Sequence, residues 1–200
     1  MRIAVMTFNG FNEIDSCIVS ALLNRVNHPG WKAEIVAPAS TVVSMNGVTM
    51  HAQRPLTFAN QADVVLFGSG TQTERLVEDV SLISQLRLSP DRQLIGSQCS
   101  GALFLHKLGL LGTGPVCTDT TSRPVFERLK VNVVDMPFCE RGNVATAGGC
   151  LASPYLAMWV ILRLCGLEVA KAAIRYAAPV GQKDEYLARA IETVTRGQKL

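Results

Sequence analysis

Gly96-Ser97-Gln98-Cys99-Ser100-Gly101 is the stretch that decides how this chain is read. Arg92-Gln93-Leu94-Ile95 before it has the character of a short buried strand. Ala102-Leu103-Phe104-Leu105-His106-Lys107-Leu108 after it reads as a helix that stops at Gly109. A cysteine is thus set between strand and helix, with small residues on both sides, in the pattern Gly-x-x-Cys-x-Gly. Small neighbours let the backbone turn sharply, so that the side chain projects above the sheet as a nucleophile elbow. The N–H groups and dipole of the following helix are expected to favour thiolate and lower the Cys99 pKa. The competing reading is a core cysteine beside an ordinary turn, since cysteine is among the most buried residue types.

Outward from the elbow, strands alternate with helices. Arg2 to Phe8 reads as a strand, followed by a helix from about Asn12 to Asn27. Lys32 to Ala37 is a second strand, and Thr41–Ser44 with Val48–His51 form a small hairpin about Met45-Asn46-Gly47. Ala62 to Phe67 is a buried strand running into Gly68-Ser69-Gly70-Thr71, with a helix over roughly Glu74 to Leu86. Short extended pieces are expected at Val116–Thr118, Val131–Val134 and Pro137–Cys139, with a helix over Val125–Leu129. Val144 to Ala147 is a strand ending in Gly148-Gly149, and Ser153-Pro154 opens a helix closed by Gly166. Leu167 to Tyr176 is read as the last helix.

This alternation predicts an α/β fold, a parallel-sheet three-layer sandwich of flavodoxin-like type. Residues 1–180 form a single domain in this reading, and 181–200 a C-terminal tail whose basic end, Arg196 to Lys199, frays. Ligands in such folds bind at the carboxyl ends of the strands. Three candidate loops lie there: Asn9–Asp15, Gly68–Thr71 and Gly96–Gly101.

Composition narrows the function. Apolar residues make up 48% and charged residues 18%, a globular balance. No apolar run is long enough for a bilayer, and the N-terminus lacks a signal-peptide pattern, so no membrane partner and a cytoplasmic location are expected. The net charge of +3 is spread without a basic stripe, which argues against nucleic acid as a partner. Six cysteines without a C-x-x-C pair and only three histidines argue against staples and a zinc site, so neither metal nor cofactor is expected.

Cys99 needs a proton partner and a place for negative charge. A glycine amide of Gly68-Ser69-Gly70-Thr71, with Gly70 the candidate, and the Ser100 N–H are the expected oxyanion donors; Ser69 and Thr71 flank them as substrate-binding residues. The alternative is a tight connection that merely requires small residues. His106 lies two turns further along the elbow helix, about 10 Å away, and His28 and His51 lie elsewhere, so no Cys–His pair is evident. Asp15 is the better partner, in the first turn of the helix after the first strand, with Glu13 a competitor. Two readings stand for it: proton transfer, or a capping-box acid three residues after Asn12.

These features together resemble the ThiJ/PfpI family of the class I glutamine amidotransferase-like superfamily. They are the Gly-x-x-Cys-x-Gly elbow, the Gly-rich loop, the acid at Asp15 and the Thr146-Ala147-Gly148-Gly149 segment. The resemblance covers roughly Arg2 to Tyr176 and is closest to the isonitrile hydratase branch and the ligand domains of AraC-type regulators. It implies Cys99 as nucleophile, a protonated Asp15 bonded to it, an oxyanion site at Gly70 and Ser100, and a homodimer acting on a small-molecule substrate. Ser100 stands where peptidase-like members carry His, which argues against peptidase activity. Phe67-Gly68-Ser69-Gly70 replaces a Pro-Gly-Gly loop, and Thr118-Asp119-Thr120 replaces a Thr-His motif. Two functions follow: a hydratase adding water to an electrophilic carbon, or a non-enzymatic redox or ligand sensor built on an oxidisable Cys99. The residues after Tyr176 are too few for a DNA-binding domain in cis.

Overall fold

Apolar residues on successive positions of the central strands, Ile3-Ala4-Val5-Met6 and Val64-Val65-Leu66-Phe67, mark strands covered on both faces. In the computed structural model, which describes residues 1–198, these strands lie at the centre of a seven-stranded sheet. The strands in chain order are β1 (Arg2–Met6), β2 (Lys32–Ala37), β3 (Thr41–Val43), β4 (Thr49–His51), β5 (Arg54–Pro55), β6 (Val64–Phe67), β7 (Leu94–Gln98), β8 (Phe138–Arg141) and β9 (Val144–Ala147). The main sheet runs β5-β2-β1-β6-β7-β9-β8, parallel except for β8 against β9; β3 and β4 form the separate hairpin.

The helices are α1 (Glu13–Leu23), α2 (Thr73–Val77), α3 (Val80–Ile83), α4 (Ala102–Lys107), α5 (Arg123–Arg128), α6 (Ser153–Cys165), α7 (Leu167–Ala177) and α8 (Lys183–Gly197). Because side chains alternate across a strand, Ile3, Val5 and Leu66 meet one core with Trp159 and Ile174 of α6 and α7. Ala4, Met6, Phe67 and Ile95 meet the other with Leu103 and Phe104 of α4 and Phe126 of α5. The three-layer α/β sandwich is therefore as read from the alternation.

Several elements differ from the sequence reading. The tail expected at 181–200 holds α8, whose Ala190 and Val194 are fully buried against the α6 side of the core. Gly197 ends it so close to Phe138 of β8 that a Cβ would lie 2.6 Å from the ring. The expected fraying of Arg196 to Gln198 is thus overturned; Lys199 lies outside the described residues. The helix expected over Glu74–Leu86 is divided into α2 and α3, because the Asp79 side chain caps a new start by accepting from the Leu82 N–H at 3.1 Å. Helix α1 ends early, at Leu23, because Asn24 turns to pair with both backbone groups of Ala33 in β2. The pieces at Val116 and Val133 form one isolated bridge rather than strands.

Strand register positions the site. Met6 is level with Phe67, Phe67 with Ser97, and Gln98 with Ala147, so four strands end together. Their loops are drawn into contact: the Asn12 N–H donates to Ser69 O and the Thr71 N–H to Gly10 O, both at 2.9 Å. Gly101 packs so tightly that a Cβ would lie 2.6 Å from Phe67 O and 2.7 Å from Gly68 O. Gly101→Ala should therefore lower stability by about 1–3 kcal/mol, read as a lower urea midpoint with unchanged slope. An unchanged midpoint would show that these two connections are not held together.

Candidate functional site

Cys99 follows β7 directly and adopts φ +50°, in the left-handed region that non-glycine residues seldom occupy. The strain persists because the surroundings fix both sides. Gln98, buried in β7, donates from Nε2 to the carbonyls of Gly149 and Cys150, and Thr118 Oγ1 donates to Cys99 O at 3.0 Å. The chain then passes through one 3₁₀ turn, Cys99–Gly101, into α4. Cys99 is 2% exposed, at the floor of a cavity of about 360 Å³. Ser69, Gly70, Thr71, Ser100 and Cys150 line it, with the Asp119–Ser122 turn opposite.

Asp15 lies beneath this cavity and is 1% exposed. Ser69 Oγ donates to its Oδ2 at 2.5 Å, while Oδ1 is buried without a partner. Burial holds its carboxyl above the ordinary range, opposed by the hydrogen bonds from Ser69. No capping box forms here. Asn12 caps α1 alone, accepting from the Ile14 N–H at 3.0 Å, and its own N–H is committed to Ser69 O. Glu13 points to the hairpin, where its carboxylate accepts from Ser44 Oγ and Asn46 Nδ2.

A carboxyl oxygen of Asp15, Cys99 Sγ and Cys150 Sγ lie within 4.8 Å of one another. Among the described residues this is the group that could hold a metal ion. Sequence reasoning passed over Cys150. It follows Gly148-Gly149 at the carboxyl end of a strand, as the other three loops do, but its place beside Cys99 comes from the pairing of β9 with β7. Asn12 Nδ2 donates to Cys150 Sγ at 3.0 Å, so the cap residue also reaches the site.

The expectation of a lowered Cys99 pKa is reversed. Burial pushes the thiol up, and Asp15, Cys150 and Asp119 push it further; the Gly149 backbone amide is the group that pulls it down. The expected oxyanion donor at Gly70 is already engaged, donating to Ser100 Oγ at 3.2 Å. Ser100 in turn donates to Thr73 Oγ1 at 3.0 Å. The Ser100 amide belongs to the first helical turn, where N–H groups have no partner within the helix. Thr71 lines the cavity, with its hydroxyl on Gly10 O. His106 borders a separate hollow with Glu78 and Lys107.

A strained cysteine elbow above a parallel sheet, with a buried acid beneath it, agrees with what the sequence matches: the chain belongs to the DJ-1/PfpI family, whose model covers residues 1–162. Among solved structures it is similar to DJ-1 from Schizosaccharomyces pombe, at 16% identity over 90% of this chain and 100% of that one, with a TM-score of 0.76. It is also similar to a ThiJ/PfpI family protein from Pseudomonas syringae (18% identity, 98% and 88% covered, TM-score 0.77). A mutant of a DJ-1 superfamily protein from Salmonella typhimurium is similar at 24% identity, with 90% and 100% covered and a TM-score of 0.75. At these identities the likeness is one of fold. No curated protein matches the chain.

The raised Asp15 pKa has a sign that can be measured. Burial favours the neutral form, so the native state binds this proton more tightly than the unfolded chain does. That stabilisation is complete below the ordinary value of 3.8 and is lost as pH rises through the raised native value. Asp15→Asn stays neutral throughout. Its Tm relative to wild type should rise as pH climbs above 3.8 through the raised native value, while a pH-independent difference would show that Asp15 is not held neutral by burial.

Proposed function

We propose that this protein is a cysteine-dependent enzyme of the isonitrile hydratase type, adding water to an electrophilic carbon of a small molecule. The observation that carries this reading is the meeting of Cys99, at a strained elbow on the cavity floor, with the buried carboxyl of Asp15. Oδ2 of Asp15 already accepts from Ser69, so a neutral carboxyl carries its proton on Oδ1. Cys99 sulfur attacks the carbon and its thiol proton passes to the Asp15 carboxyl as that carboxyl gives its own proton to the adduct, so that one S–C bond forms without leaving charge on the substrate or on Asp15. Water then adds to that carbon, Asp15 taking a proton from the water as it gives its own to the adduct, and the C–S bond breaks as the proton of the new hydroxyl passes through Asp15 to the Cys99 sulfur. The Gly149 amide, which favours charge on the sulfur, and the Ser100 amide in the turn that follows it are the donors this reading uses for developing charge. Every proton is carried by a residue that the fold already brings together.

A second reading, a redox or ligand sensor, is supported by the presence of a second thiol beside Cys99. The proposal includes a homodimer in the cytoplasm: Ile14, Met45 and Val48 are exposed apolar side chains on the segments flanking the cavity. No helix among the described residues is long and apolar enough to cross a membrane.

The test is a turnover screen on isonitriles, α-oxoaldehydes and amides. Cys99→Ala should abolish activity, and Asp15→Asn should lower kcat by roughly 10²-fold or more. His106→Ala should leave the rate unchanged, being outside the cavity. Full activity in Asp15→Asn would remove the carboxyl from the chemistry, and activity in Cys99→Ala would remove the entire assignment.

A further inference from the structure

Cys150 takes no part in the hydration chemistry above, yet its sulfur lies within 4.8 Å of the Cys99 sulfur. The separation is set by the fold. Level ends of β7 and β9 place Gly148-Gly149-Cys150 beside the elbow. The Cys150 carbonyl is then held by Gln98 Nε2 at 2.8 Å and by Ser153 Oγ at 2.9 Å. The two backbones are thus fixed while the two side chains share one cavity wall. A disulfide has an S–S bond of about 2.05 Å, a closure within reach of side-chain rotation. Gly149, just before Cys150, has φ +87° and open space around the position of a Cβ. On closing, Cys150 Sγ gives up the hydrogen bond from Asn12 Nδ2.

We propose that Cys150 is the resolving thiol of Cys99: a hydroperoxide oxidises Cys99 to the sulfenic acid, and Cys150 converts it to an intrachain Cys99–Cys150 disulfide. In the first step Cys99 sulfur attacks the peroxide O–O bond; an S–O bond forms, the O–O bond breaks, and alcohol or water leaves. In the second, Cys150 sulfur attacks Cys99 sulfur; the S–S bond forms, the S–O bond breaks, and hydroxide leaves as water with the Cys150 proton. The dithiol loses two electrons and the hydroperoxide gains them; an external dithiol reverses the bond.

The arrangement favours resolution over further oxidation. Cys99 is 2% exposed, whereas Cys150 is half-buried on the cavity side, so a second peroxide must enter past the competing thiol. The consequence is a reversible closure: the sulfur required for hydration is blocked without passing to the irreversible sulfinic acid. This rests on Cys99 being the reactive thiol of the proposed function.

The experiment exposes the full chain, with EDTA present, to near-stoichiometric hydrogen peroxide, alkylates the remaining thiols, and maps peptides by mass spectrometry. The expected result is a peptide pair joined through Cys99 and Cys150 that dithiothreitol separates. In Cys150→Ser, checked for folding by circular dichroism, that pair is absent and Cys99 accumulates as sulfinic acid that dithiothreitol does not reverse. Equal sulfinic acid at Cys99 in both proteins, without the joined pair, would overturn the resolving role and leave Cys99 as the reactive thiol. Unmodified Cys99 in both, or a Cys117–Cys139 pair instead, would overturn the proposal along with the reactive-thiol reading. Should Cys150→Ser fail to fold, presence or absence of the joined pair in wild type decides alone.

Discussion

The left-handed backbone at Cys99 is the constraint on which the site depends. A strand that turned more gently after Gln98 would carry the sulfur into the α4 side of the core, where Phe8, Phe67 and Phe104 stack with centroids 4.6 and 5.1 Å apart. The sharp turn instead lifts the sulfur above the strand ends and brings Gly101 against the backbone of the neighbouring β6 loop. An unfavourable φ costs about 1–3 kcal/mol, and several contacts oppose its relaxation. These are the Gln98 and Thr118 hydrogen bonds, the aromatic stack under α4, and the Gly101 contact itself. The elbow is therefore not a flexible loop that happens to hold a cysteine, but a position fixed from four directions.

The electrostatics follow from that placement, and magnitudes decide between two opposing effects. A helix N-terminus stabilises a nearby negative charge by about 0.3–1 kcal/mol at an exposed site, less than one pKa unit at 1.36 kcal/mol per unit. Burial shifts fully enclosed groups by up to about 3–5 units. Helix α4 has six residues and begins through a 3₁₀ turn, so its dipole is short, while Cys99 is almost completely enclosed with Asp15 beneath it. Enclosure prevails, and the thiol rises rather than falls.

This explains which parts of the chain could be read from sequence. The elbow, the strand alternation and the Gly-rich loops were legible because each is local: small residues at a turn, apolar runs of strand length, Asn46-Gly47 in a hairpin. The division at Asp79 was hidden because the acid reads equally well as a helix-surface residue or as a cap. Helix α8 was missed because its apolar positions, Tyr186, Leu187, Ala190, Ile191 and Val194, sit among charges and acquire a partner only when α6 and β8 are in place. Cys150 was missed for a different reason: nothing near it in the chain shows that β9 lies next to β7, and sheet order is a long-range property. The capping-box reading of Asp15 could be set aside only by seeing that Asn12 gives its N–H to Ser69.

The same long-range order makes Asp15, Cys99 and Cys150 one titrating unit rather than three residues. They come from the ends of three different segments, with Asp15 and Cys99 buried and Cys150 half-buried beside them. A charge on any one raises the cost of a charge on the others, as the mutual effects of Asp15 and Cys150 on Cys99 show. Groups coupled in this way release protons in steps that belong to the set. Ser69 biases the set by holding one oxygen of Asp15, and the Gly149 amide biases it by favouring charge on sulfur. Passing the Cys99 proton to Asp15 as Asp15 gives its own to the adduct therefore avoids a standing charge on any member of the cluster. A site that opposes a standing thiolate can in this way still favour the step in which the sulfur becomes bonded to carbon.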